Sequence, residues 1–290
     1  METQWTVGGR TVAVHRPGKE MFGPGSATKA DLAGYYARVA PLMLPLVRGR
    51  PMAAQRFPHG IGGDGFYAKH PHTPEWVRTV LAGERTMVVC DDAATLVWWA
   101  DQAAITLHTW LSRTPRLGCP DRLVLDLDPP GEGAAAFDAA RAAALDVRAV
   151  LDDLGLAAFA MITGSRGVHV VSPIRPELTD RSARDLARII AELAVARRPA
   201  ELTTRFRKQA RRGRVFVDFL RNGRAQLAVA PYSVRAIPGA PIAAPVTWAE
   251  LDALTTAGDF TIASRREHCP FAGMARHARS PRKAIDRLPG

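Results

Sequence analysis

The stretch "DRLVLDLDPPGEG", residues 121–133, combines the apolar residues of a buried strand with two aspartates at the end of that strand. Its run of valine and leucine is typical of a β-strand, and side chains along a strand alternate between the two faces. Asp126 and Asp128 therefore share one face, about 7 Å apart, while the leucines beside them point into the packing. The Pro-Pro pair that follows ends strand pairing, so both carboxylates are expected at the rim of a sheet.

Two carboxylates this close together, with apolar neighbours, are unfavourable unless a positive charge neutralises them. A divalent cation meets this need, because Mg²⁺ and Mn²⁺ prefer carboxylate oxygens and leave coordination positions for substrate phosphates. The alternative is structural, with the Asp-Leu-Asp strand end capping the helix that follows. A third acid, Asp218 in "VFVDFL", shares a strand face with Phe216 and Leu220, where an unpaired charge is costly. Three acids on neighbouring strands form the smallest cage for two metal ions about 3.5–4 Å apart.

The turn in "TGSRGVHVV", residues 163–171, has the composition of a phosphate-binding loop. Its two glycines let the backbone approach a phosphate closely, and Ser165, Arg166 and His169 offer a hydroxyl, a charge and an imidazole. Taken alone, such a turn is more often a plain hairpin turn. His108 in "ITLHTWLSR" ends another strand, and a lone histidine at such a place is usually structural.

The charge of the whole chain favours a polyanionic partner. Its 290 residues contain 39 Lys and Arg against 28 Asp and Glu, a net charge of +11. This balance suits nucleic acid. The alternative is that the many arginines reflect the base composition of the genome and not a binding partner. The excess is partly clustered, however, since "TTRFRKQARRGR" carries six basic residues from Arg205 to Arg214.

The composition also excludes several classes of protein. Hydrophobic residues at 47% and charged residues at 23% are ordinary for a globular chain, so disorder is not expected. No apolar run reaches the roughly 18 residues of a membrane helix, and the first residues lack the apolar core of a signal peptide. Three widely spaced cysteines argue for a reducing cytoplasm, and against disulfides and a Cys-x-x-Cys zinc site.

Hydrophobic periodicity predicts a mixed α/β chain with at least two sheets. A helix begins after the N-cap Thr28 and is bent or ended by Pro41 and Pro45. Further helices are predicted in "AATLVWWADQA", through Phe137 to Leu154, over residues 179–197 and in "TWAEL", with strands in "TMVVC", "AITLHTW", "AAFAMIT" and "GVHVVSPI". "RVFVDFL" and "AQLAVAPYSV" are predicted to pair as a hairpin around "RNGR". The tail from Ser264 is expected to be irregular.

Several of these stretches, taken in order, resemble the polymerase domain of bacterial ligase D and its stand-alone relatives in the primase-polymerase superfamily. The matching pieces are "TKADLAGYYARVAPLMLPLVRGRP", "GIGGDGFYAKH", "LHTWLSR", "DRLVLDLDPPGEG", "TGSRGVHVVSPI" and "VFVDFLRNGRAQLAVAPYSVRAIPGAPIAAPVTWAEL", over about residues 15–255. The resemblance implies one catalytic domain with two orthogonally packed sheets, one of them similar to an RNA-recognition fold. Its parts would be an α/β part over about 1–110, a catalytic part over about 111–260 and a tail over about 261–290.

The resemblance also implies roles for individual residues. The catalytic metal ligands would be Asp126, Asp128 and Asp218, holding two Mn²⁺ or Mg²⁺ ions. The nucleotide would be bound by Arg56, His108, Ser165, Arg166, His169 and Arg235. DNA would be contacted by Lys19, Lys29, Phe66, Tyr67 and Arg211, with the two aromatic rings stacking on bases. The implied activity is gap filling in DNA repair by a monomer that favours ribonucleotides and Mn²⁺, beside a separate ATP-dependent ligase and Ku. The sequence leaves open whether the repair pathway is end joining or excision repair.

Gap filling requires recognition of the downstream 5′-phosphate. Thr28 caps a helix whose first turn is expected to offer unpaired backbone N–H groups, a favourable anion site. Lys29 opens that helix and Lys19 precedes it by ten residues, and both match lysines that the family uses for this phosphate. The alternative is that two lysines near a helix start are solvated surface.

Departures from the family pattern and rival functions remain. Gln55 stands where the family usually has lysine, Arg166 replaces a common lysine, and the chain has no Lys-x-Asp-Gly ligase motif.

A haloacid-dehalogenase-like phosphatase would use Asp126 as a nucleophile, but Pro130 stands where such enzymes have Thr or Val. A nucleic-acid-binding module that has lost catalysis is the rival outside the enzymes, and three intact acids argue against it.

Overall fold

The computed structural model describes residues 2–288 and has the mixed α/β fold that the periodicity predicts. The strands are β1 Glu2–Val7, β2 Arg10–His15, β3 Pro51–Arg56, β4 Phe66–Ala68, β5 Thr79–Ala82, β6 Arg85–Val89, β7 Ala104–Thr109, β8 Arg122–Asp128, β9 Phe159–Ile162, β10 Val168–Pro173, β11 Leu202–Thr203, β12 Val215–Asp218, β13 Ala228–Val229 and β14 Ala244–Val246. The α-helices are α1 Lys29–Val47, α2 Ala93–Asp101, α3 Ala134–Asp153, α4 Asp180–Arg197, α5 Lys208–Arg211, α6 Trp248–Ala253 and α7 Pro281–Ile285.

One six-stranded sheet carries the aspartate-rich stretch at its centre, with strand order β11-β12-β8-β10-β9-β14. The strand β8 pairs antiparallel with β12 on one side and with β10 on the other. Its leucine and valine side chains are fully or almost fully buried, and α3 and α4 both pack against it. The central position of β8 therefore puts its aspartates between two neighbouring strands.

A second six-stranded sheet has the order β13-β7-β3-β6-β5, with β4 paired to the outer part of β3. The helices α1 and α2 pack on each other, and α2 contacts both β7 and the two-stranded hairpin β1-β2. The predicted apolar face of α1 is buried, and the hydroxyls of Tyr35 and Tyr36 donate to the carbonyls of Tyr232 and Ile105 at 2.7 and 2.8 Å.

The chain divides into two compact units. The first unit consists of the chain up to Trp110 with Val229–Ala244 and Phe260–Cys269, and the second unit of Leu111–Ala228, Pro245–Asp259 and the chain from Pro270 onward. The first segment of the first unit ends near residue 110, but that unit also includes Val229–Ala244, which lies inside the expected catalytic part, so the expected parts stay a prediction. That the two units act as one domain stays a prediction. Within residues 2–288, no helix combines the length and apolar character that crossing a membrane requires.

The predictions for the start and for the end of α1 differ in outcome. Thr28 does cap α1, in a capping box with Asp31, as its position predicts. Of the two predicted effects of Pro41 and Pro45, ending the helix is wrong, because α1 continues to Val47, and bending it stays a prediction. Both prolines are exposed and lie four residues apart, so their missing N–H groups and their rings fall on the solvent side, where a helix tolerates a bend.

The predicted hairpin around "RNGR" is also wrong, since β12 and β13 belong to different sheets. After β12 the chain turns into a 3₁₀ helix, Leu220–Asn222, whose first N–H donates to Asp218 Oδ1 at 2.7 Å. The Asn222 side chain is buried and bonds both the N–H and the carbonyl of Val124 in β8, at 2.9 and 2.7 Å. This asparagine therefore pins the chain to β8 and does not form a two-residue hairpin turn.

The tail is more ordered than predicted. It contains a 3₁₀ helix, Met274–His277, and α7. Phe271 is buried, and its ring meets that of Phe159 edge-on with centroids 5.7 Å apart. These elements are four and five residues long, which is too short for a hydrophobic period to appear in the sequence.

Candidate active site

The strand register brings two of the predicted acids face to face. Asp218 in β12 lies directly opposite Asp126 in β8, and Phe216 lies opposite Asp128. On the other side of β8, His169 in β10 is the direct partner of Asp126, with its Nε2 3.3 Å from Asp126 Oδ1. Directly opposed residues in an antiparallel pair have close side chains. Asp126 therefore lies between an acid on one neighbouring strand and an imidazole on the other.

Arginines neutralise this cluster of acids. The Nε atom of Arg221 lies 3.5 Å from Asp126 Oδ2 and 3.4 Å from Asp218 Oδ2. The Nη1 atom of Arg211 lies 3.9 Å from Asp128 Oδ2, and its guanidinium stacks over the ring of Phe216 at 4.1 Å. Arg211 was predicted to contact DNA, whereas Arg221 was not predicted. The sequence does show that Arg221 follows Asp218 by three residues. This spacing brings the two side chains together only because the chain between them forms a 3₁₀ helix.

The acids keep elevated proton affinities despite these arginines. Burial raises the pKa of Asp128, and the neighbouring Asp126 raises it further, while Arg211 opposes both. Burial likewise raises the pKa of Asp218, against the effect of Arg221. For Arg221, burial lowers the pKa, but the surrounding carboxylates raise it by more. Burial is the largest cause of both raised pKa values, so the ionised carboxylates are disfavoured where they lie and would be stabilised by a cation that contacts them.

The donor atoms suit a divalent ion, although the metal cage is not preformed. Among residues 2–288, no three His, Cys, Asp or Glu side chains are arranged so that they could hold a metal ion. The Arg221 guanidinium occupies the point on which Asp126 and Asp218 converge. Both offer a carboxylate oxygen within 3.5 Å of one nitrogen atom, so they already surround one positive charge. Hard carboxylate oxygens fit Mg²⁺ or Mn²⁺ if Arg221 withdraws.

The predicted phosphate loop joins β9 to β10 and packs closely against β8. A side chain at Gly167 would meet the Leu127 carbonyl oxygen at 2.1 Å, so the close approach requires glycine. The Thr163 hydroxyl accepts from the Gly167 N–H at 3.2 Å and fixes the turn. Ser165 and Arg166 are half-buried in the turn, and the charge of Arg166 acts on Asp128. The loop therefore brings the charge of Arg166 to the acids, with the Ser165 hydroxyl in the same turn.

The predicted base-stacking residues lie in β4 of the first unit. Phe66 and Tyr67 are 49% and 52% exposed, which is unusual for large aromatic side chains. The Arg56 guanidinium lies over the Phe66 ring at 5.4 Å, and the Tyr67 ring lies 5.5 Å from that of His108. The Arg56 Nε donates to the Gln102 carbonyl at 2.6 Å, and burial lowers the pKa of Arg56.

The two lysines expected at the 5′-phosphate are held by the protein. Lys29 is only 7% exposed, and its Nζ donates to the Asp101 carbonyl at 2.8 Å. The Lys19 Nζ donates to the Pro58 carbonyl. The expectation of unpaired N–H groups at the start of α1 is wrong. The N–H groups of Lys29 and Ala30 donate to the carbonyls of Lys19 and Pro17, and the next N–H donates to the Thr28 hydroxyl. Phosphate binding there would rest on the lysine side chains.

The predicted residues thus fall into two groups, each within one unit. The second unit holds Asp126, Asp128, Asp218, Ser165, Arg166, His169 and Arg211. The first unit holds Lys19, Lys29, Arg56, Phe66, Tyr67, His108 and Arg235. Arg235 is half-buried, and its backbone N–H donates to the Pro241 carbonyl at 2.8 Å. The roles of all these residues stay predictions.

Comparison with known proteins supports the polymerase interpretation. A family model described as "LigD, primase-polymerase domain" matches residues 28–271. The multifunctional non-homologous end joining protein LigD of Mycobacterium bovis is 37% identical over 248 residues, which cover 81% of this chain and 32% of that protein. The bifunctional non-homologous end joining protein LigD of Bacillus subtilis is 29% identical over 267 residues, covering 89% of this chain and 43% of that protein.

A solved structure agrees with the sequence matches. The polymerase domain of Mycobacterium tuberculosis ligase D in complex with DNA superimposes with a TM-score of 0.77 at 33% identity, covering 91% of this chain and 93% of that chain. The chain thus spans nearly all of that domain, but less than half the length of the curated relatives. These matches favour the polymerase over the phosphatase as the function of the Asp-x-Asp stretch.

Proposed function

Because the chain belongs to the LigD primase-polymerase family, a family of nucleotidyltransferases, we propose that it is a template-dependent polymerase that fills short gaps during DNA repair. The observation that carries this proposal is the opposed pair Asp126 and Asp218, with Asp128 on the same strand as the first acid. The relatives are named as non-homologous end joining proteins, and the solved domain is in complex with DNA. End joining is therefore the repair pathway that we propose.

The second unit supplies the chemistry in this proposal. Two divalent cations held by the three aspartates would activate the primer 3′-hydroxyl and neutralise the departing pyrophosphate. The 3′-oxygen forms a bond to the α-phosphorus as the bond to the β-phosphate oxygen breaks. Ser165, Arg166 and His169 orient the triphosphate, and Arg221, released from the carboxylates, becomes able to pair with a phosphate.

The first unit supplies recognition in this proposal. Phe66 and Tyr67 stack on DNA bases, Arg56, His108 and Arg235 contact the nucleotide, and the lysine pair Lys19 and Lys29 binds the downstream 5′-phosphate. That list follows the family pattern and the exposure of the two aromatic rings. The finer parts of the proposal are a preference for ribonucleotides and for Mn²⁺, and work beside a separate ATP-dependent ligase with Ku.

A gap-filling assay tests the proposal. The wild type should insert nucleotides opposite a template gap with Mn²⁺ or Mg²⁺, and comparing NTP with dNTP on gapped, nicked and unprimed templates measures sugar and substrate preference. Asp126→Ala and Asp218→Ala should each lower insertion at least about 100-fold, because the charge that stabilises the transition state is lost. DNA affinity should persist in both variants, since it depends on basic residues elsewhere.

Other outcomes would assign the chain elsewhere. Substantial extension by Asp218→Ala would contradict the two-metal arrangement. Release of inorganic phosphate from a phosphomonoester, abolished by Asp126→Ala, would indicate the phosphatase. DNA binding by a wild type that inserts nothing with either metal would indicate a module without catalysis.

A further inference from the structure

The carboxylate of Asp101, at the end of α2, bonds several side chains and has no part in the proposed polymerase chemistry. Its side chain is 8% exposed. Its Oδ1 accepts from the backbone N–H of His15 at 2.7 Å, and the imidazole Nδ1 of the same histidine lies 3.1 Å from Oδ2. The Gln102 side-chain amide also donates to Oδ2, at 3.3 Å. A carboxylate that is this well bonded has a fixed position.

Asp101 also holds Lys29 directly. The lysine Nζ donates to the Asp101 carbonyl at 2.8 Å and lies 3.6 Å from Oδ1 of the same residue. The four-carbon stem of a lysine is flexible, so an ammonium at a recognition site needs fixed partners to keep one position. Here one residue supplies both partners, the carbonyl and the carboxylate.

The same residue fixes Lys19 through the backbone. The segment from His15 to Lys19 is anchored at its first residue by the Asp101 carboxylate. At its other end, the carbonyls of Pro17 and Lys19 accept from the first N–H groups of α1 at 2.9 and 2.8 Å. The segment therefore runs between Asp101 and the start of α1, and its course sets where the Lys19 side chain begins.

We propose that Asp101 is the positioning residue of the 5′-phosphate site, holding Lys29 by direct contact and Lys19 through the His15–Lys19 segment. This inference rests on the proposed function, specifically on recognition of a downstream 5′-phosphate by the two lysines. Asp101 itself makes no contact with the phosphate. The neighbouring Gln102 carbonyl accepts from Arg56, so two successive residues at the end of α2 hold the side chains of Lys29 and Arg56.

A competing effect has to be weighed, because a carboxylate also competes with phosphate for the lysine. Burial lowers the pKa of Lys29, as do the charges of Lys19 and Arg16 to a lesser extent, and Asp101 opposes these effects. Removal of the Asp101 charge would thus leave a buried amine that loses its proton more readily. For a lysine with so little exposure, loss of charge and of position outweighs relief from competition.

The test compares binding and gap filling on two DNA substrates that differ only in a 5′-phosphate or a 5′-hydroxyl at the downstream end. The ratio between the substrates isolates phosphate recognition, because a general loss of stability or activity affects both equally. The wild type should prefer the phosphorylated gap, and Lys19→Ala/Lys29→Ala should lose that preference. Asp101→Asn should lower the preference about tenfold.

Asp91→Asn is the matched control. Asp91 is a carboxylate of the same unit that accepts from the Gly49 N–H at 2.8 Å and pairs with Arg78, so the same chemical change is made away from the lysines. It should leave the preference unchanged. As the pH is raised, Asp101→Asn should lose its remaining preference at a lower pH than the wild type, since the lysine is no longer supported by a carboxylate.

The outcomes separate this inference from the proposed function. A full preference in a folded Asp101→Asn variant overturns the inference and leaves gap filling intact. A wild type that extends primers without distinguishing the two ends overturns phosphate recognition and this inference, but not polymerase activity. If Asp101→Asn does not fold, Asp101→Glu decides, because its shifted carboxylate should lower the preference, and an undiminished preference overturns the inference.

Discussion

Asp128 ends β8 with its carboxylate 3.9 Å from the Arg211 guanidinium and on the same strand face as Asp126. Burial raises its pKa above the ordinary 3.8, and the charge of Asp126 adds to this. The folded chain therefore binds this proton more tightly than the unfolded chain does. Stability from this residue is fully present at acid pH and is lost as the pH rises through the elevated pKa. In the protein without metal, the ionised Asp128 therefore lowers the stability at neutral pH.

Replacing Asp128 by asparagine should stabilise the metal-free protein at neutral pH by about 1 kcal/mol, because the ionised carboxylate no longer has to be buried beside another. Thermal unfolding with a chelator measures this, and the gain should shrink as the pH is lowered towards 4. Asp138→Asn, an exposed acid of α3 paired with Arg141, is the control and should change little. A variant less stable than the wild type at neutral pH would contradict the electrostatic account.

At the residue scale, the sequence could predict what strand geometry alone determines. The two-residue alternation placed Asp126 and Asp128 on one face, and Asp218 emerged as a charge at an apolar strand position. It could not predict Arg221, whose contact with two acids depends on the 3₁₀ turn after β12. Nor could it predict that Lys29 is buried, because this depends on packing against Asp101, 72 residues later in the chain.

At the element scale, β4 is a three-residue edge strand whose first two side chains are both exposed. Successive residues of a strand point to opposite faces, so Phe66 and Tyr67 present rings on different sides of β4. Each ring has a partner in the first unit, Arg56 and His108 respectively. An exposed pair of aromatic rings with basic neighbours suits stacking on nucleic-acid bases.

Replacement of Phe66 and Tyr67 by alanine should weaken binding of gapped DNA by about 1–3 kcal/mol for each stacked base. Fluorescence anisotropy measures the affinity, and thermal unfolding should show little change because both rings are half exposed. Leu81→Ala is the matched control, since Leu81 is a 66% exposed apolar residue of β5 in the same unit. An unchanged affinity in the double variant, or an equal loss in the control, would assign the rings a structural role.

Elements with a clear period and a cap were predictable, and those defined by a distant partner were not. The capping boxes at Thr28 and Thr247 and the apolar face of α1 follow from local rules. The "RNGR" stretch has a strong hairpin signal, but the Asn222 amide is committed to Val124, 98 residues away. The turn chemistry was therefore overridden by one buried side chain.

At the scale of the whole molecule, the order of segments in the two units was beyond local reasoning. The first unit also contains Val229–Ala244 and Phe260–Cys269, which follow most of the second unit in the sequence. No change in composition marks the points where the chain passes from one unit to the other. What the sequence did carry at this scale was charge, a net +11 whose densest cluster is the segment from Arg205 to Arg214.

This basic segment leads to a prediction about salt. Arg207, Lys208 and Arg212 are exposed, while Arg211 is directed to Asp128. If the exposed side chains neutralise DNA phosphates, each releases bound counterions, and the logarithm of affinity falls with the logarithm of salt by about 0.9 per phosphate on duplex DNA. The variant Arg207→Ala/Lys208→Ala/Arg212→Ala should therefore bind DNA more weakly at low salt and reduce that slope by up to about 3.

The control has to remove the same charge from another surface. Arg181, Arg184 and Arg188 are three exposed arginines of α4, so their triple alanine variant lowers the net charge equally. Because direct phosphate contact is local whereas net charge acts on the whole molecule, only the first variant should change the slope strongly. Equal changes in both variants would mean that the basic segment contributes only through net charge, and DNA binding would then have to be ascribed to other residues.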